Sequence, residues 1–437
     1  MIGLLILLPG ESQARKFSFI RDAEIEATLR AYANPLLRVA GLEPNAVQIF
    51  IVNDPGLNAF VAGGQNIFVN TGLLMKSTDA SQIIGVIAHE IGHIEGGHLS
   101  RLVGAQKRAG KEALIGTILG GAAAILGNPA AGAAIAAGGA HIGTRNLLTF
   151  NRTQESAADQ AALRYLEATG QSAKGLAEFL GVLLDQELLS TANQDPYVRT
   201  HPLSRRRIDN INAHLSRSRY SNIPTSHDFK VRHARMKAKL SAFIQSPVRT
   251  FRQYRASDRS LEARYARAVA YYKRPQLEKA LPLIDGLIAE FPNDPFFHEL
   301  RGQMLFENGR AEEALPSYQQ AARLLPNSAL LRGDLGKVQL ERGTPELIST
   351  AVGNLRAALD QEPRNGFYWR QLGIAYGKLG QTGQSSWALA EEALLRRRYA
   401  DAIRLAERAK RTLPAGSPDW IRAEDIVAAA RQGQGKR

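Results

Sequence analysis

The chain has 437 residues, 44% hydrophobic and 22% charged, which is enough for two or three globular domains and excludes a mostly disordered chain. The absence of cysteine excludes a disulfide scaffold, a thiol nucleophile and any thiolate metal site. With 55 Lys and Arg against 41 Asp and Glu, the formal charge is +14, which suits acidic proteins, anionic lipid or nucleic acid without choosing among them.

In chain order, Ile2 to Leu8 is a short apolar run ended by Pro9-Gly10 and followed by Ser12-Gln13-Ala14. Residues 1–14 read as a signal-peptide remnant and point to export; the run is far too short to span a bilayer. A helix is expected over Ile20 to Val39 from the apolar positions Ile25, Leu29, Leu36 and Val39, closed by Gly41. Val47 to Val52 and Asn58 to Asn70 read as short strands, the latter broken into a hairpin at Gly63-Gly64.

Helical periodicity returns over Ser81 to Leu99 and carries His89-Glu90-Ile91-Gly92-His93. Residues four apart share a helix face, so the two imidazoles can address one metal ion, with Glu90 placed to take a proton from its water. A catalytic zinc site needs a third protein ligand. The pattern H-E-x-x-H-x-x-G-x-x-H does not supply it. Gly96 is in place, but position 99 is Leu, and on a continuous helix His98 points about 180° away from His89. His98 is read as a supporting or helix-end residue.

Ala113 to Ala140 is apolar and rich in Gly and Ala, split by Gly127-Asn128-Pro129 into halves too short to cross a bilayer. It reads as a helical hairpin or lid, with peripheral membrane contact and plain burial both open. In Asn151 to Asp159, Glu155 and Asp159 are four apart, so one can ligate metal while the other holds a ligand histidine. Alone, that stretch reads as an amphipathic helix with solvated charges. After Gly170 a helix is expected with an apolar face of Leu176, Phe179, Leu180, Val182 and Leu183, and Pro202 and Pro224 bracket another. Lys230 to Arg259 is basic and reads as a solvated face, with no motif for nucleic acid.

Phe291-Pro292, Leu325-Pro326, Glu362-Pro363 and Leu413-Pro414 punctuate the rest. The first interval, 34 residues, is the tetratricopeptide (TPR) period, and Trp369, Leu372, Gly373 and Tyr376 match W-x₂-L-G-x₂-Y. The last interval, 51 residues, implies one extra helix near Gln384 to Arg397. Such an array binds proteins and carries no chemistry of its own.

From about Ile20 to Ile211, H-E-x-x-H followed by N-R-x-x-E-x-x-x-D resembles the zinc metallopeptidases that include the CAAX prenyl-protein endopeptidases and the HtpX membrane proteases. The TPR fusion and the export signal resemble their periplasmic branch. The resemblance implies one Zn²⁺ per chain on His89, His93 and Glu155, Glu90 as general base, and Asp159 and Arg152 as supports. It implies that Asn58, Ala59 and Phe60 lie on an active-site edge strand where substrate pairs. Thr200-His201-Pro202 with Arg207-Ile208 matches a further family segment, T-H-P-x-x-x-x-R-I. This implies that His201 lies near the zinc, as a fourth ligand that keeps the enzyme latent or as an oxyanion stabiliser, and that Arg207 holds a carboxylate.

The expected fold is mostly α with a small β-sheet, a zincin-type α+β metalloprotease domain followed by an α-solenoid of TPR repeats. The domains are 15–225 (protease), 226–260 (basic helical connector) and 261–437 (TPR array). The implied activity is a periplasmic zinc endopeptidase acting on misfolded or stalled outer-membrane beta-barrel proteins, with the barrel-assembly machinery as partner. The competing reading is a TPR chaperone or scaffold with a latent or structural zinc site.

Overall fold

The computed structural model describes residues 18–98, 152–184, 197, 198, 201, 203 and 205–435. The N-terminal run 1–14, the Gly/Ala-rich segment 113–140, Thr200, Pro202 and the Arg152 side chain lie outside the described residues.

The chain opens with strand β1 (Phe19–Ile20) and helix α1 (Ala23–Val39). The helix starts three residues later than its apolar pattern suggests. Ile20 is taken by the sheet, and the Asp22 side chain accepts the Glu24 and Ile25 N–H groups as an N-cap. Ile25, Leu29 and Leu36 face the core, whereas Val39, at the last helical position, is exposed.

Strands β2 (Gln48–Val52), β3 (Ala59–Ala62) and β4 (Asn66–Asn70) follow. Sheet order is β1-β2-β4-β3, with β2 parallel to β4 and the other pairs antiparallel, so β3 is an edge strand. Its register pairs Ala59 with Val69 and Phe60 with Phe68.

A short helix α2 (Thr71–Lys76) leads into α3 (Ala80–Glu95), capped by the Asp79 side chain. Every residue of α3 from Gln82 to His93 is buried, because the helix is enclosed by α1, β3 and two later helices, α4 (Arg152–Ala168) and α5 (Lys174–Leu184). Gly92 permits the close crossing with α4. A Cβ there would lie 2.8 Å from the Ala158 carbonyl oxygen. In α5, Leu176, Phe179, Leu180 and Leu183 are buried as expected, but Val182 is 63% exposed: the stripe is narrower than the run of apolar residues. Helix α6 (Arg205–Leu215) closes this half against α4 and α5.

The basic stretch is only partly a solvated face: Lys230, Arg249, Arg252 and Arg255 are exposed, whereas Arg235 and Lys239 turn inward. It folds as α7 (His227–Ile244) and α8 (Pro247–Gln253), and α7 wedges between α1 and the first solenoid helix. Lys239, with its side chain 1% exposed, lies 2.8 Å from Asp22, 3.6 Å from Glu24 and 3.4 Å from Glu299. Arg235 pairs with Glu24 at 2.8 Å and Asp294 at 2.6 Å, and the Tyr265 hydroxyl donates to Glu24. Acids that sequence separation hid are what bury these cations.

Five helical hairpins complete the α-solenoid: α9 (Leu261–Tyr272) with α10 (Leu277–Glu290), α11 (Pro295–Glu307) with α12 (Ala311–Leu324), α13 (Ala329–Arg342) with α14 (Pro345–Gln361), α15 (Gly366–Lys378) with α16 (Thr382–Leu395), and α17 (Tyr399–Thr412) with α18 (Pro418–Gln434). Between Pro363 and Pro414 lie three helices, so the long interval does hold one more than a repeat needs; Pro414 falls inside the last hairpin rather than after it. No described helix is long and apolar enough to cross a membrane.

Candidate metal centre

Helix α3 places His89 and His93 one turn apart, both buried, with their Nε2 atoms 3.0 Å from each other. Across the Gly92 crossing, the first turn of α4 supplies Glu155, where the helix N-terminus favours an anion. Glu155 Oε2 is 3.3 Å from His89 Nε2, and Oε1 is 3.4 Å from His93 Nε2. His201 Nδ1 is 3.4 Å from His89 Nε2 and 3.3 Å from both Glu155 oxygens. One donor atom from each of His89, His93, Glu155 and His201 lies within 4.8 Å of all the others. Four N/O donors around one tetrahedral zinc at about 2.1 Å would sit about 3.4 Å apart. The donor set and its spacing fit a metal ion.

Asp159, one turn beyond Glu155, is 2.9 Å from His89 Nδ1. Arg207 of α6 grips Asp159 through Nε at 2.6 Å and Nη2 at 2.8 Å, while its Nη1 reaches Glu155 at 2.9 Å. One guanidinium thus holds both carboxylates in a fixed fork. Its neighbours Arg205 and Arg206 are exposed, so only every third charge of that run turns inward.

Burial disfavours the charged form of every group here. At His89 it is outweighed by the hydrogen bonds to Asp159 and Glu155, which lift the imidazole to about 9. At His93 burial prevails and pushes the ring down to about 3. At Glu155 burial is overcome by the charge and hydrogen bond of His201, followed by the bonds to His89 and His93, leaving its carboxyl well below the usual range. Asp159, countering burial with the Arg207 and His89 hydrogen bonds, is held down at about 2.

Glu90 differs from all of these. It is fully buried, neither of its oxygens accepts a hydrogen bond from the described residues, and burial pushes its carboxyl above the ordinary range despite His201 Nε2 at 3.4 Å. A carboxylate kept in the interior without a donor, beside a cluster of ligating atoms, is a base waiting for a proton.

The edge strand meets this cluster through its backbone. The Asn58 carbonyl accepts from the Asn70 N–H inside the sheet, so the Ala59 carbonyl turns outward, 3.3 Å from His201 Nε2. The Phe60 side chain lies on the other face, stacked on Phe68 with centroids 5.0 Å apart. Upstream of His201, the Tyr197 N–H donates to the Leu57 carbonyl, and the His201 N–H donates to the Tyr197 carbonyl. Tyr197, fully buried and stacked on the His201 ring at 4.4 Å, went unnoticed in the sequence; its only signal is an aromatic four residues before a histidine. His98, read from the sequence as a supporting or helix-end residue, lies just past the end of α3 with its Nδ1 2.8 Å from His93 Nδ1.

Residues 20–215 match the profile of Peptidase family M48. Over 425 residues the chain is 27% identical to the "Beta-barrel assembly-enhancing protease" of Escherichia coli (strain K12), covering 95% of this chain and 85% of that one. It is 23% identical to the protein of the same name from Yersinia pestis over 416 residues, covering 94% of this chain and 85% of the relative.

Proposed function

We propose, from the match of residues 20–215 to Peptidase family M48 and the similarity to the beta-barrel assembly-enhancing proteases, that this metalloprotease is a zinc-dependent endopeptidase of the periplasm. Its substrates on this reading are misfolded or stalled outer-membrane beta-barrel proteins. In this reading residues 15–225 cut, 226–260 connect, and the TPR array of 261–437 binds substrate or the barrel-assembly machinery. The observation that carries the chemistry is the convergence of His89, His93 and Glu155 beside the hydrogen-bond-free carboxylate of Glu90. The relatives' printed names and the apolar run Ile2–Leu8 support the substrate class and the location.

A zinc ion held by these ligands supplies Lewis-acid chemistry, acidifying a water and polarising a carbonyl. The protein's own groups do the rest. Glu90 Oε takes the proton of the attacking water and later delivers one to the leaving amine. Its raised affinity for a proton, from burial, suits it to both steps. Asp159 orients His89 through Nδ1, and Arg207 keeps Asp159 and Glu155 in register. The outward Ala59 carbonyl, on an edge strand, is placed to accept an N–H from an extended substrate.

His201 occupies that position now. With Nδ1 among the ligating atoms and Nε2 against Ala59, it is read as a fourth ligand that holds the enzyme latent and must swing away for substrate to enter. The test is cleavage of a purified outer-membrane barrel protein, presented unfolded and folded. The unfolded form should be cut and the folded form spared, with His201→Ala cutting faster than wild type. Equal cleavage of both forms would sink the substrate reading; a slower His201→Ala would replace latency with oxyanion stabilisation.

A further inference from the structure

His89 and His93 reach the ligand cluster through Nε2, so a lone pair offered there requires the proton of each ring on Nδ1. A ligating imidazole is fixed by whatever accepts that outer N–H. At His89 the outer nitrogen faces Asp159 Oδ1 at 2.9 Å. At His93 the outer nitrogen faces His98 Nδ1 at 2.8 Å, with the two rings edge to face at 4.9 Å and His98 buried to 3%.

This contact exists only because α3 stops. Had the helix continued, residue 98 would stand about 7.5 Å further along the axis and about 140° round from His93. Two glycines bring it back. Gly97 takes φ +60°, a left-handed conformation costly for any other residue type. Gly96 leaves the space the ring needs, since a Cβ there would lie 2.6 Å from His98 Nε2. The sequence Gly96-Gly97-His98 thus folds one imidazole under another.

We propose that His98 is a positioning residue of the metal site: its Nδ1 accepts the His93 Nδ1–H and holds the His93 ring with Nε2 aimed at the metal. The proposal rests on the metal-site reading above. The two histidine ligands are then anchored differently, His89 by a carboxylate that Arg207 pairs with and His93 by another imidazole.

The test is zinc affinity of the full-length chain, stripped with a chelator and titrated with Zn²⁺ against a chromophoric competitor. Circular dichroism of the metal-free forms monitors the fold. His98→Leu removes the acceptor. His98→Asn keeps one, because its Oδ1 branches from the same carbon position as the imidazole Nδ1. Gly96→Ala leaves His98 chemically intact and displaces its ring. His98→Leu should weaken zinc about 10–100-fold, like Asp159→Asn, and Gly96→Ala about 10-fold, with His98→Asn close to wild type. Should His98→Leu fail to fold, the contrast of Gly96→Ala with His98→Asn decides. Wild-type affinity in both His98→Leu and Gly96→Ala, or a loss in His98→Asn as large as theirs, would overturn the role of His98 alone. A wild-type chain that takes up no zinc would overturn the metal reading and this proposal with it.

Discussion

Two of the buried charge clusters among the described residues are built on opposite terms. The metal centre collects His89, His93, Glu155 and His201 with their ligating atoms turned inward toward each other, and sets the donor-free carboxylate of Glu90 beside them. The cluster around Lys239 joins α1, α7 and the solenoid, and there each cation faces acids: Lys239 faces Asp22, Glu24 and Glu299, and Arg235 faces Glu24 and Asp294. Burial opposes the Lys239 charge, but Asp22 and Glu299 overcome it and hold its ammonium well above the usual lysine range. Groups paired among themselves give a joint. Groups converging on a common point, with a base left over, give a reactive site. Burial alone distinguishes neither.

That contrast can be broken at either end. The largest effect is expected at a ligand: His89→Ala or Glu155→Ala should abolish metal binding and cleavage, read by metal content and peptide hydrolysis, while the solenoid keeps its helicity. Glu90→Gln should keep the metal and lose about 10²–10⁴-fold in turnover, the usual worth of a general acid–base. Lys239→Ala should reverse the pattern, leaving metal stoichiometry intact while costing about 3–5 kcal/mol in chemical denaturation, because three acids lose a buried partner. Asp159→Asn sits between the two classes, with zinc about 10–100-fold weaker and the fold retained.

The smallest effect is a pH dependence at the joint's own edge. His233 of α7 is buried with its Nε2 2.8 Å from Ser77 Oγ, and burial, followed by the Lys237 charge, pushes it down to about 4. The unfolded chain, with histidine near 6.5, binds the proton more readily, so this contribution is whole above about pH 6.5 and is lost as pH falls toward 4. Thermal melts at pH 7 and 4.5 should therefore differ more for wild type than for His233→Gln.

The two clusters were unequally legible in the amino-acid sequence. His89 and His93 are four residues apart, so their spacing alone places them on one helix face, with Glu90 on the adjoining one. The repeat period announced the solenoid for a similar reason: its contacts are between neighbours in sequence. Glu155 and Asp159 were suggested by their four-residue spacing, but only the resemblance set them above an ordinary amphipathic helix, since what brings them to α3 is a glycine-to-alanine helix crossing at Gly92 and Ala158 that no local pattern declares. Lys239 and Asp22 are 217 positions apart, and nothing near either residue announces the other, which is why the basic stretch read as a solvated face. For His98 the supporting role was legible but the path of the chain was not. The expectation carried α3 to Leu99, whereas Gly96 and Gly97 end it at Glu95 and return the ring to His93.

The central claim is that these buried ligands and Glu90 make a peptidase. The most direct measurement is zinc content per chain together with cleavage of an unfolded protein such as casein, for wild type and Glu90→Gln side by side. The account predicts one zinc ion in each and cleavage by wild type alone. Cleavage by Glu90→Gln at the wild-type rate, or undiminished cleavage by metal-free protein, would contradict it.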